Sequence, residues 1–134
     1  FLKWNWDPSK IFMGDCGSNF LGGLIFYLIL SKGEYLIDFK TIFIIFPIFI
    51  DCTSCIIKRF LNKDNIFIAH KKHLYQRLYQ KGISHGNISL IYILVCFINF
   101  FIAFQNNITI FIFTSLIEIL FFTYLDKSLA KKFN

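Results

Sequence analysis

Charge is scarce in this chain: 16 % of its 134 residues are Asp, Glu, Lys or Arg, and the acids number only eight. A soluble domain of this length carries closer to a quarter charged residues, so the composition argues against a water-facing globule. The opening FLKWNWDPSK has no apolar core of its own, and no cleavable signal peptide is expected in it. No internal repeat and no low-complexity linker is visible. Proline occurs twice, as Pro8 ahead of the first apolar stretch and Pro47 inside the second. Pro8 suits the approach to a helix start, whereas Pro47 predicts a kink or break. The four cysteines, Cys16, Cys52, Cys55 and Cys96, lie in or beside apolar segments and read as small buried hydrophobes rather than disulfide partners.

What is present is apolar and comes in blocks. Residues 42–57, IFIIFPIFIDCTSCII, hold one acid and no base, residues 88–104 carry no charge, and 108–125 carry only Glu118. About 20 apolar residues cross a bilayer core as a helix. With their flanks these blocks predict an all-α, polytopic membrane bundle of about four spans, near 17–31, 36–57, 88–104 and 108–125. Trp4 and Trp6 suit the headgroup layer. The short QNN at 105–107 makes the last two spans an antiparallel hairpin. Twelve Lys and Arg residues fall before span one, between spans two and three, or after span four, against Lys32 and Lys40 on the other side. The positive-inside rule then places both ends and the 58–87 loop in the cytoplasm. Basic charge distributed by topology in this way suits lipid headgroups or a phosphorylated substrate, not nucleic acid.

Two stretches carry chemistry. In KIFMGDCGSNFLGG (10–23), Asp15 sits among Gly14, Gly17 and Ser18 at the mouth of span one. Glycines there let backbone N–H groups approach an anion at a helix start. The same residues also fit a simple helix cap, with Asp15 or Ser18 accepting from the first turn. In IFIAHKKHLYQRLYQKG (66–82), helical periodicity puts His70, Arg77 and Lys81 in one sector with His73 beside it, and Leu74, Tyr75, Leu78 and Tyr79 in the next. That is either a short interfacial helix turning a cationic edge to phosphate, or an ordinary surface helix with snorkelling bases. Asp51, deep in span two, predicts a partner, with Arg59 two turns on as the candidate; Glu118 has none in view. Cys52-Thr-Ser-Cys55 followed by His70 and His73 has the look of zinc-ligand spacing. The apolar helix under the cysteines and the three-residue step between the histidines argue against it.

The first stretch resembles the metal motif of the polyprenyl-phosphate N-acetylhexosamine-1-phosphate transferases (glycosyltransferase family 4, MraY/WecA-like), roughly F-M-G-D-x-G-S-x-x-L-G. HKKHLYQRLYQKGISH is similar to their histidine-arginine loop, and the intervening Pro47-x-x-x-Asp51 is similar as well. The resemblance implies transfer of an N-acetylaminosugar 1-phosphate from a UDP-sugar to undecaprenyl phosphate, with release of UMP, at the cytoplasmic face of the bacterial inner membrane. It makes Asp15 the ligand of Mg2+ (or Mn2+), with Gly14, Gly17 and Ser18 shaping the approach. His73 and Arg77 become the groups holding the donor diphosphate, with His70 and Lys81 nearby. The wording of the loop looks closest to the branch that starts O-antigen or related surface polysaccharides, ahead of the cell-wall muramoyl-pentapeptide branch. Tyr75 and Gln76 stand where many relatives carry histidine. The family's paired-aspartate motif precedes the metal motif and is not in residues 1–134. The chain is therefore expected to be the C-terminal part of one transferase domain, inactive without its N-terminal half. The rival expectation is a small non-catalytic four-helix membrane protein.

Overall fold

The computed structural model describes residues 2–6, 10, 11, 13–30, 39–105 and 107–133. Pro8, Asn106 and the 31–38 connection with Lys32, Glu34 and Asp38 lie outside the described residues. Every element among the described residues is helical. The chain divides into two compact units, residues 1–42 and 43–134.

In the first unit, α1 (Leu2–Asn5) is a single turn and α2 (Gly14–Leu30) is a 17-residue apolar helix. The lead-in folds back on α1: the amides of Lys10 and Ile11 donate to the Trp4 carbonyl at 2.8 and 3.2 Å, and Asn5 Nδ2 donates to the Ile11 carbonyl at 2.9 Å. α2 starts three residues before the expected span, so Asp15 falls in its first turn.

α3 (Phe39–Ile44) leads to α4 (Phe46–Leu61) through a break at Ile45. The cause is Pro47, in the first turn of α4. Proline has no N–H to give the carbonyl four residues back, which here belongs to Phe43. Asn99, fully buried in the second unit, donates its side-chain amide to that carbonyl at 3.0 Å. The expected break at Pro47 is therefore present, and its orphan acceptor is satisfied from another helix.

Four residues of α4 are buried at helical i, i+4 steps: Pro47, Asp51, Cys55 and Arg59. This face meets α5 (Leu74–Gln80), α6 (His85–Ala103) and α7 (Ile108–Ser128) around a core of Leu74, Leu78, Ile88, Phe122 and Leu125. The helix expected over 66–82 is shorter than its periodicity suggested: only 74–80 is helical. His70 precedes it and Lys81 caps its C-terminus. Gly82, at φ +103°, ends α5 in the left-handed conformation that favours glycine. Ser84 then caps α6, accepting from the Asn87 amide at 3.3 Å, and Asn107 caps α7, accepting from the Thr109 amide at 3.0 Å.

At 1.5 Å per residue α6 and α7 are about 28 and 31 Å long, enough to cross a hydrocarbon layer of about 30 Å. Both are predominantly apolar, with Glu118, Asp126 and Lys127 the charged residues of α7, and only 17 % of each apolar stretch is buried inside the protein. Phe97, Phe101, Phe113, Leu116 and Leu120 point outward. Water is a poor solvent for such a surface; lipid is a good one. Two helices among the described residues thus meet the length and composition of a membrane span.

Candidate functional site

In the first unit the chemistry gathers at the start of α2. Gly14 has φ +63°, and a Cβ there would meet open space, so the backbone conformation is what calls for glycine. Ser18 Oγ donates to the Asp15 carbonyl at 3.1 Å, which turns the hydroxyl away from capping. The Asp15 carboxylate is exposed and takes no hydrogen bond or ion pair from the described residues. A cap would have used it. Left free at a helix start, it is available to a hydrated divalent cation that brings phosphate oxygens as further ligands, the usual habit of Mg2+.

In the second unit Asp51 organises the loop. Its side chain is 4 % exposed and accepts from the amides of Leu74 (2.7 Å) and Tyr75 (3.4 Å), the first two residues of α5, and from the Tyr92 hydroxyl (2.8 Å). The carboxylate thus caps α5 from a neighbouring helix, where the helix dipole favours negative charge. Burial, with Asp51 alongside, pushes the Tyr75 phenol above its usual range. The expected Asp51–Arg59 pair is replaced by these contacts. Arg59 instead donates to the carbonyls of Asn65, Ile66 and Ile68, pinning the segment after α4.

That pinned segment carries the histidines. His73 is the residue before α5; its amide donates to Gln76 Oε1 at 3.2 Å and its Nδ1 lies 3.6 Å from Asp51 Oδ1. The rings of His70 and His73 stack with centroids 5.0 Å apart. Burial and then the nearby Arg59 guanidinium hold His70 below the ordinary imidazole range. Both side chains are partly exposed.

Arg77 is placed differently from the exposed edge that periodicity suggested. It is 5 % exposed, ion-paired to Asp126, and donates to the carbonyls of Lys72 (3.2 Å) and Lys131 (2.8 Å). Desolvation by burial lowers its pKa. Lys58 also pairs with Asp126, and the Phe133 ring lies 5.0 Å from the guanidinium. Arg77 therefore docks the C-terminal residues onto α5. A pocket of about 200 Å³ opens beside it, lined by Lys71, Lys72, Arg77, Gln80, Lys131 and Lys132. Its cationic rim is the kind of surface that holds phosphate. Lys131 and Lys132 in this rim were legible only as topology signals, because nothing local links them to residues sixty positions earlier. Lys81 is exposed at the end of α5 and does not line this pocket.

Glu118, for which the sequence offered no partner, neighbours Asn99 across the α6–α7 contact. Cys55, His70 and His73 converge, their ligand atoms all within 4.8 Å of one another. Cys52, one turn earlier on α4, is not part of the cluster.

Comparison with known proteins brings these observations together. The profile of Glycosyl transferase family 4 matches residues 1–33, the segment that contains Asp15. A probable undecaprenyl-phosphate N-acetylglucosaminyl 1-phosphate transferase of Bacillus subtilis is 43 % identical over 103 residues, 73 % of this chain and 28 % of the relative. An undecaprenyl-phosphate alpha-N-acetylglucosaminyl 1-phosphate transferase of Thermotoga maritima is 30 % identical over 127 residues, 92 % of this chain and 42 % of the relative. A phospho-N-acetylmuramoyl-pentapeptide-transferase of Streptomyces griseus is 58 % identical over 38 residues, 28 % of this chain and 11 % of the relative. The chain thus spans less than half the length of these curated relatives. No solved structure matches it significantly.

Proposed function

Because the chain belongs to the MraY/WecA-like superfamily of polyprenyl-phosphate sugar-1-phosphate transferases, we propose that it forms the C-terminal part of an enzyme moving N-acetylglucosamine 1-phosphate from a UDP-sugar to undecaprenyl phosphate, with release of UMP. The observation that carries this reading is the free Asp15 carboxylate at the start of α2, inside the family-matched segment. The two long similarities bear N-acetylglucosaminyl names, whereas the muramoyl-pentapeptide similarity covers 28 % of the chain. That difference favours an N-acetylglucosamine donor over the muramoyl-pentapeptide donor of the cell-wall branch.

In this reading α2, the α3–α4 pair, α6 and α7 are four spans, the enzyme resides in the bacterial inner membrane, and both ends and the 58–87 loop face the cytoplasm. Asp15 would hold the Mg2+, which when bound would supply charge neutralisation for the donor diphosphate. Gly14 leaves the backbone beside it open, Gly17 makes room for the Met13 side chain, and Ser18 bonds the Asp15 carbonyl. His73, oriented by Asp51, and the amines of Lys71 and Lys72 are the second unit's groups for holding phosphate oxygens. Arg77, whose guanidinium is taken by Asp126 and two carbonyls, positions the loop that carries them. His70 and Lys81 flank the same loop, and Lys81 adds positive potential.

The test uses membranes expressing the full-length parent gene of which this chain is the C-terminal part, with radiolabelled UDP-N-acetylglucosamine and undecaprenyl phosphate. Wild type is expected to make labelled polyprenyl diphosphate sugar, and Asp15→Asn to lower turnover at least about a hundredfold. An Asp15→Asn variant running at the wild-type rate overturns the role given to Asp15. An in-frame upstream extension encoding an Asp-Asp motif separates this reading from a small non-catalytic membrane protein.

A further inference from the structure

We propose that Cys55, His70 and His73 form a binding site for a thiophilic divalent cation, zinc first among them. The proposal does not rest on the transferase reading, which leaves Cys55 without a task and gives His73 to phosphate; a cation held on that imidazole would meet the phosphate in its place.

The three residues come from two places in the chain, and each is held for its own reason. Cys55 is on the buried face of α4, 2 % exposed, one turn from Asp51 and one from Arg59. His70 is carried back over that face because Arg59 grips the carbonyls of 65, 66 and 68. His73 is fixed at the start of α5 by the bonds between Asp51 and the next two amides. Their ligand atoms lie within 4.8 Å of one another. Around a tetrahedral zinc, with bonds of about 2.0 Å to nitrogen and 2.3 Å to sulfur, neighbouring ligands sit about 3.3–3.8 Å apart. Small side-chain rotations close that gap.

The hydrogen bonding leaves the set ready for a cation. His70 uses Nδ1 to accept from the Lys72 amide at 3.3 Å, so its Nε2 is the free ligand atom. His73 Nδ1 is buried with no hydrogen-bond partner, and Asp51 Oδ1 is 3.6 Å away. A carboxylate beside a histidine is the usual outer partner that orients a metal-bound imidazole. One thiol and two imidazoles select zinc over the hard, oxygen-loving ions. Three protein ligands leave a fourth position for water or an exogenous donor. Both histidines are partly exposed, so an ion has a way in.

The experiment uses the untagged 134-residue chain in detergent micelles, titrated with Co2+ and then Zn2+. Wild type is expected to take up one ion per chain, with a thiolate-to-cobalt charge-transfer band in the near ultraviolet that zinc abolishes. Cys55→Ser loses the band, His70→Ala weakens binding at least about tenfold, and Cys52→Ser behaves as wild type. Circular dichroism of each variant reports whether it has folded; if Cys55→Ser has not, wild type and His70→Ala decide. No cobalt–thiolate band in wild type, or wild-type affinity in a folded Cys55→Ser or His70→Ala, overturns the proposal and leaves His73 simply paired with Asp51. Because activity is not read, the result is independent of the substrate assigned to the enzyme.

Discussion

Asp51 is the residue on which the second unit turns. An acid among isoleucines has to be paid for by partners, and that much could be read from IFIIFPIFIDCTSCII. The identity of the partners could not, because two of the three are backbone amides, and no side-chain pattern encodes those. Asp51→Asn keeps the shape but sets an amide NH2 against donors. It is expected to cost about 1.5–3 kcal/mol, the range for hydrogen bonds to a charged group. Denaturation in detergent checks the magnitude, and faster hydrogen exchange at Leu74 and Tyr75 checks the location. Arg77 has the same moral from the other side. Local periodicity put it on an open cationic edge, while its acceptors, Asp126 and the Lys131 carbonyl, arrive some fifty residues later.

At the level of elements, the break between α3 and α4 joins a local rule to a distant residue. Pro47 announces the interruption, but only the packing of α6 shows that Asn99 repairs it. Asn99→Leu leaves the Phe43 carbonyl buried and unmet, a loss of about 1–3 kcal/mol. Pro47→Ala returns an N–H to that carbonyl, so the double variant should be less destabilised than Asn99→Leu alone. A double-mutant cycle on thermal stability measures this, with additive effects as the result that refutes it. α5 illustrates the opposite failure of pattern: residues 66–73 carry helical spacing, yet Arg59 claims the carbonyls a helix would need. Periodicity there describes only 74–80.

For the molecule as a whole, the outward aromatic and aliphatic side chains of α6 and α7 suit lipid, and the direction proposed from the lysines is open to test. Gln105→Cys and Lys81→Cys flank α6 at its two ends. In whole cells made permeable at the outer layer, an impermeant maleimide should label Gln105→Cys and spare Lys81→Cys; the reverse pattern inverts the topology. The four buried residues of α4 add a constraint of another kind. Pro47, Asp51, Cys55 and Arg59 share a single phase of the helix. One residue inserted between Pro47 and Asp51 would swing the last three by about 100°, unplugging the α5 cap, the histidine segment and the thiol together. Evolution can tune this protein by exchanging letters in α4, but it has almost no freedom to change their number.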